Sequence, residues 1–308
     1  MDILFLEPVF KERIWGGQKL KTRFGYELPY EKTGECWAIS AHPNGSSIIK
    51  NGRFKGRTLQ DLYEKDRELF NHLQSPKFPL LTKILDANDD LSVQVHPNDE
   101  YAIKHEHDLG KTECWVVLEA EPGAKIIYGH HAKTKEELRS MIENNQFKEL
   151  LIEKEVKTGD FIYVPSGTIH ALGKGLLILE TQQSSDTTYR VYDYDRVDDK
   201  GKPRDLHIEK SILVSNVPHQ DMTPDVKTLK YKDSVITRYV SNEFFTVERW
   251  SISGELNLKS NHFKLVSVID GKGMLNGYTL SKGDHLIITG EVYDLNLDGK
   301  MELIVSWT

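Results

Sequence analysis

Over residues 78–194 the apolar runs are short, and a turn-forming Gly, Pro, Asn, Asp or Ser closes almost every one. Candidate strands fall at 78–85, 91–96, 114–119, 125–128, 161–164, 176–181 and 188–194. A second series follows at 248–252, 264–269, 273–275, 285–288 and 302–306. Strands this short bury enough surface only when stacked, so the spacing predicts a mainly β chain built as a sandwich or barrel. Helices interrupt the pattern in two places. One begins at Thr58, a candidate N-cap, and runs towards Phe70. The other begins at Thr134-Lys135-Glu136-Glu137, a capping box, and continues through Leu138, Met141 and Ile142 to Leu150 and Leu151. Both read as covers over a sheet.

Side chains two apart on a strand share a face. Gln94 and His96 therefore project together, while Val93 and Val95 take the opposite, core-like face. Glu113 and Trp115 share a face in the same way, and Cys114 points away as a buried, inert thiol. His170 follows a Pro165-Ser166-Gly167 turn that can aim a side chain inward. An isolated His on a strand usually packs or sits at the surface. Gln94, His96, Glu113 and His170 taken jointly form a plausible nitrogen and oxygen shell for one divalent metal.

The tail carries a trace of repetition. Ser281-Lys282-Gly283-Asp284-His285-Leu286-Ile287-Ile288 parallels Lys157-Thr158-Gly159-Asp160-Phe161-Ile162-Tyr163-Val164. The first copy continues to His170; the second has no His at that place. A polar, turn-rich stretch near 215–235 suggests a boundary. The expected domains are 1–225, carrying the metal ligands, and 226–308, a smaller β unit without them.

Gly159, Pro165, Gly167 and His170 match the second signature of the cupin superfamily, with Lys174 where an Asn often closes it. Gln94-Val95-His96-Pro97, Lys111-Thr112-Glu113, the stretch from Leu179 to Asp193, and Ile14-Trp15-Gly16-Gly17 resemble type I mannose-6-phosphate isomerases of the compact bacterial branch. The resemblance spans about residues 5–215, and it implies two cupin-type jelly-roll β-sandwich domains with a few covering helices. It implies zinc as cofactor, one ion per chain, held by Gln94, His96, Glu113 and His170; manganese, iron or cobalt could occupy the same shell. It implies Arg190 as a catalytic group and places Lys83, Lys111 and Trp15 on the substrate. Glu180 and Asp186 are candidates for acid–base or sugar-hydroxyl roles. The general base stays open between Glu180, Asp186, His96 and a metal-bound water.

The implied reaction is the reversible isomerisation of mannose 6-phosphate and fructose 6-phosphate through a cis-enediol. Two other readings compete. One is another metal-dependent cupin enzyme, such as a dioxygenase, against which Gln94 speaks because such sites usually place a His there. The other is a non-catalytic regulator that binds sugar phosphate. The net charge of −7 argues against non-specific binding to nucleic acid or an anionic membrane. The partner expected is a phosphorylated hexose, with the chain a monomer or weak homodimer. Cys36 and Cys114 suggest no disulfide framework, and no signal-peptide pattern opens the chain, so a cytoplasmic location is expected.

Overall fold

The computed structural model describes residues 2–197 and 201–308. The chain is mainly β, and its strands pair antiparallel throughout the two large sheets. A 6-stranded sheet runs in the order Phe161–Val164, Glu113–Ala120, Leu176–Gln183, Leu80–Ala87, Thr33–Ile39, Val9–Gly17. A 5-stranded sheet faces it, ordered Leu151–Glu155, Lys125–His130, His170–Leu172, Val93–Val95, Tyr189–Tyr192. Between them lies an apolar core that includes Leu85, Trp115, Val117 and Ile178 from one sheet and Ile126, Tyr128 and Leu172 from the other.

The outer face of the smaller sheet is closed by helices. Val93, Val95, Ala171, Tyr189 and Val191 pack with Leu138 and Ile142 of the helix Lys135–Glu143 and with Ile212 of Ile208–Val214. The helix starts follow the capping pattern. Thr58 Oγ1 accepts from Asp61 N at 3.1 Å, and Thr134 Oγ1 accepts from Glu137 N at 3.1 Å. The second box closes differently from the expected form: Glu137 reaches back to Lys133 N at 2.6 Å, one residue beyond the cap. No helix among the described residues is long and apolar enough to cross a membrane.

The tail forms a 10-stranded sheet. Its longest run is Lys227–Tyr231, Ser234–Ser241, Thr246–Ser253, Asp294–Trp307, Lys264–Leu275, His285–Ile288, Ile3–Glu7, Ile48–Ile49. The first strand, Ile3–Glu7, and the short piece Ile48–Ile49 pair into this sheet rather than into the larger sandwich. Two expected strands, 264–269 and 273–275, are one strand of 12 residues, Lys264–Leu275. The glycines near the join make close approaches: a Cβ on Gly273 would lie 2.4 Å from Asp298 O, and Gly271 adopts φ 77°.

Six strands of the tail repeat the order of the 6-stranded sheet, with His285–Ile288 standing for Phe161–Val164. The turns before these two strands match in detail. Gly159 and Gly283 both adopt φ 93°, where a Cβ is disfavoured. Asp160 Oδ2 accepts from Lys157 N at 2.9 Å, and Asp284 Oδ2 accepts from Ser281 N at 2.8 Å. The corresponding faces of the two sheets pack back to back: Cys36, Ile84, Cys114, Val116 and Leu179 share one core with Val247, Leu265, Ile287 and Ile304.

Candidate metal and substrate site

The site sits where the two sheets of the larger sandwich face each other. Gln94 is the central residue of Val93–Val95 and has His170 as its register partner on one side and Arg190 on the other. These three side chains stand in a row across adjacent strands. Glu113 opens its strand in the opposite sheet, beside Gln182. His96 lies just past the end of Val93–Val95 and is 1 % exposed.

His96, Glu113 and His170 bring their ligand atoms within 4.8 Å of one another. His96 Nδ1 lies 3.0 Å from Thr187 O, and His170 Nδ1 lies 2.9 Å from Thr168 O. Each Nδ1–H donates to a backbone carbonyl, which fixes the tautomer and leaves both Nε2 lone pairs facing the cluster. His170 Nε2 is 3.3 Å from Glu113 Oε1, and His96 Nε2 is 3.6 Å from Glu113 Oε2. The Gln94 amide stands 3.4 Å from His170 Nε2, and rotation of that amide presents its oxygen to the same spot. Glu113 Oε2 is buried and makes no hydrogen bond of acceptable angle, although the Lys111 ammonium is 2.9 Å away. An orphaned carboxylate oxygen beside two neutral imidazoles is a donor set that suits a divalent metal.

Electrostatics organise the surrounding groups. Burial holds His96 well below its ordinary value, helped by the Lys111 charge, and burial also lowers His170. Burial alone would raise the Glu113 carboxyl, but Lys111 and His170 outweigh it and hold it below the usual range. Glu180 goes the other way: burial and repulsion from Glu113 both raise it. Burial opposes the Lys111 charge, yet Glu113 and Glu180 together keep its ammonium protonated above the ordinary range.

The sheet register explains why these charges meet. Trp115, Glu180, Lys83 and Trp37 are successive register partners across four strands, so they form one row on one face. Lys83 Nζ lies 3.5 Å from Glu180 Oε1, and Lys111 Nζ lies 3.1 Å from His96 Nε2. Glu35, two residues before Trp37 and bonded to its indole, is pushed down to about 2: burial resists, but Lys83 and the paired Arg13 prevail.

Other expected residues fall at different depths. Arg190 is half-buried; its Nε reaches Ser92 Oγ at 3.2 Å and its Nη1 reaches Asp205 O at 2.8 Å. Asp193 pairs with Arg196 and Arg204 rather than with Arg190. The strand carrying Arg190 ends at Tyr192, with a register shift after Arg190, so Tyr194 and Arg196 lie beyond it. Tyr194 and Asp195 instead turn the chain with φ of 56° and 53°. Asp186 is exposed, accepts from Asn44 Nδ2 at 3.0 Å, and its charge is felt by Lys111 and His42. Trp15 is 4 % exposed and packs in the sandwich core with Leu85, Trp115 and Val117, so its ring contributes apolar packing. Cys114 is buried and free, and burial raises its thiol well above the ordinary value.

Sequence reasoning overlooked Trp115. Its Nε1 lies 3.1 Å from both Glu113 Oε1 and Glu180 Oε2. A signal existed in the spelling Glu-x-Trp, which recurs at Glu35-Cys36-Trp37 and Glu248-Arg249-Trp250. In both of those the indole also donates to its own Glu, at 2.7 Å.

Residues 3–113 match the family model described as "Phosphomannose isomerase type I, catalytic domain", and residues 235–308 match "Mannose-6-phosphate isomerase, cupin domain". The chain is 53% identical to mannose-6-phosphate isomerase ManA of Bacillus subtilis (strain 168), an alignment that covers 98% of each. It is 54% identical to the mannose-6-phosphate isomerase of Streptococcus mutans, covering 98% of this chain and 97% of that one. The crystal structure of a mannose 6-phosphate isomerase from Bacillus subtilis superposes over 100% of both chains with a TM-score of 0.98 at 49% identity.

Proposed function

This chain belongs to the type I mannose-6-phosphate isomerase family, and we propose from that premise that it interconverts mannose 6-phosphate and fructose 6-phosphate through a cis-enediol at a single zinc site. The observation that carries the proposal is the row His170–Gln94–Arg190, which sets a cation next to a closed His96–Glu113–His170 donor cluster. His96, Glu113 and His170, with Gln94, would hold the ion. Zinc bound there would supply Lewis-acid polarisation and fix the orientation of the sugar oxygens.

The chain's own residues account for the remaining requirements. Moving a proton between adjacent carbons builds negative charge on two neighbouring oxygens. Arg190, anchored through Ser92 and the Asp205 carbonyl, can offer its planar fork to that charge. Lys111 and Lys83 stay buried beside Glu113 and Glu180, so their positive charge is available without reorganisation. Glu180, held above the usual carboxylate range by burial and by Glu113, can keep a proton that an ordinary carboxyl would lose, and the exposed Asp186 would offer its carboxylate to a sugar hydroxyl. The substrate would be a phosphorylated hexose, and the compartment the cytoplasm.

The test is an assay of mannose 6-phosphate conversion on chelator-treated protein, before and after zinc is restored. Loss and recovery of activity supports the reading. Full activity without metal removes the zinc role, and no conversion in the presence of zinc removes the substrate.

A further inference from the structure

The tail carries a second cleft on its own sheet, at the place that corresponds to Glu113. In the first sheet Val164 pairs with Glu113; in the tail the matching Ile288 pairs with Lys264. The correspondence continues strand by strand. Glu113 neighbours Gln182, and Lys264 begins a register in which Leu265 pairs with Ser306, so Trp307 stands for Gln182. Glu180 neighbours Lys83, and the matching Val305 neighbours Glu248. Lys83 neighbours Trp37, and Glu248 neighbours Arg238. An ammonium therefore occupies the position of the metal-facing carboxylate, and a carboxylate occupies the position of Lys83.

We propose that this cleft binds a small phosphate-bearing anion, with Lys264 as its central donor. The cleft has a volume of about 410 Å³, and its charged lining consists of Arg238, Glu248, Lys259, His262 and Lys264. Positive groups dominate in a chain whose net charge is −7. Lys264 is 6 % exposed, and its ammonium has no hydrogen-bond or ion-pair partner among the described residues. It rests over the Trp307 ring at 3.3 Å from the centroid. The side chain is largely buried while its ammonium lines the cleft, so its N–H groups are free for an anion there to accept.

Glu248 does not serve as the missing partner. Its Oε2 accepts from Trp250 Nε1 at 2.7 Å, and its Oε1 accepts from Arg238 Nε at 2.9 Å. Arg238 spends Nε and Nη2 on Glu248, and its guanidinium has further N–H groups to offer an oxyanion. Burial, with Glu248 partly opposing it, brings the Lys264 amine down to about 8. Because the two sheets pack back to back through a shared core, this cleft opens away from the His96–Glu113–His170 cluster. A lysine at the position of Glu113 repels a cation, so this place in the tail does not repeat the donor cluster of the first sheet.

The test is competitive amine acylation of the intact protein with acetic anhydride near pH 8, read by peptide mass spectrometry. Inorganic phosphate should slow acylation of Lys264 while leaving the exposed Lys65 unchanged, and potassium chloride at equal ionic strength should protect neither. A Lys264→Met variant with an unchanged thermal midpoint should bind inorganic phosphate at this cleft about tenfold more weakly or worse, the size expected when one charged hydrogen bond is removed. Absence of protection at Lys264, or equal protection by chloride, overturns the proposal.

Discussion

The Trp115 indole nitrogen stands 3.1 Å from Glu180 Oε2, inside a site where both residues are buried. The same N–H lies equally close to Glu113 Oε1, so one donor holds two carboxylates that would otherwise repel. Trp115→Phe keeps most of the ring volume and removes that donor. It should destabilise the fold by about 1–3 kcal/mol, the cost of leaving buried acceptors unsatisfied. Turnover should fall more than substrate affinity, measured as separate changes in kcat and KM. An unchanged kcat would show that the two carboxylates are held by other contacts.

Arg190 is expected to act in turnover rather than in folding. Arg190→Ala should lower kcat by roughly 10²–10³, the range for loss of one donor to developing charge. The thermal midpoint should move little, because the side chain is only half-buried. Arg190→Lys should rescue poorly, since an ammonium cannot reach both Ser92 and the Asp205 carbonyl while presenting a fork to substrate. Full rescue by Lys would reduce the role of Arg190 to that of a point charge.

Metal removal should be visible without any assay of activity. A ligand that binds only the folded state stabilises it by about 2.7 kcal/mol at a hundredfold excess over its dissociation constant. Differential scanning fluorimetry should therefore show a lower midpoint after chelation and recovery with zinc. His170→Ala should be insensitive to both treatments. A chelation shift that persists in this variant would place the metal elsewhere.

Acid should weaken the tail through His285. Its Nε2 faces the Tyr26 hydroxyl at 2.8 Å and its Nδ1 faces Ser267 Oγ at 2.9 Å. Burial, with Lys50 adding to it, lowers the imidazole from 6.5 to about 3. The unfolded chain therefore binds the proton first. Between pH 6.5 and 3 the native state is progressively penalised as pH falls, and above 6.5 this contribution vanishes. Other buried histidines titrate too, so the comparison is between wild type and His285→Asn. The variant's stability should depend less steeply on pH in that window, measured by urea unfolding at a series of pH values. Parallel curves for the two proteins would contradict the assignment.

The parts of this fold legible in the sequence were those set by local periodicity. Alternation placed Gln94 with His96 and Glu113 with Trp115, and the structure puts Val93 and Val95 on the covered face opposite. The Gly-Asp turns before Phe161 and His285 showed the repeat because the same positive φ and the same Asp hydrogen bond recur. What escaped depends on partners distant in sequence. Ile3–Glu7 joins the tail because its edge meets His285–Ile288, a choice no local pattern records. The motif alone marks Trp15, and only the assembled sandwich puts it in one core cluster with Trp115 and Leu85. The continuity of Lys264–Leu275 escaped because the crowding of Gly271 and Gly273 against Asp294–Trp307 is invisible until the two strands lie side by side.

The pairing of Ile3–Glu7 with His285–Ile288 sets an order on biosynthesis. Ile3–Glu7 leaves the ribosome well before His285–Ile288, so the two can pair only late in synthesis. Until then one flank of Ile3–Glu7, with Ile3, Leu4 and Leu6 destined for burial, is an open edge that other nascent chains can join. A product that stops before His285 would keep that edge exposed, and an unpaired strand edge is a template for association with other chains.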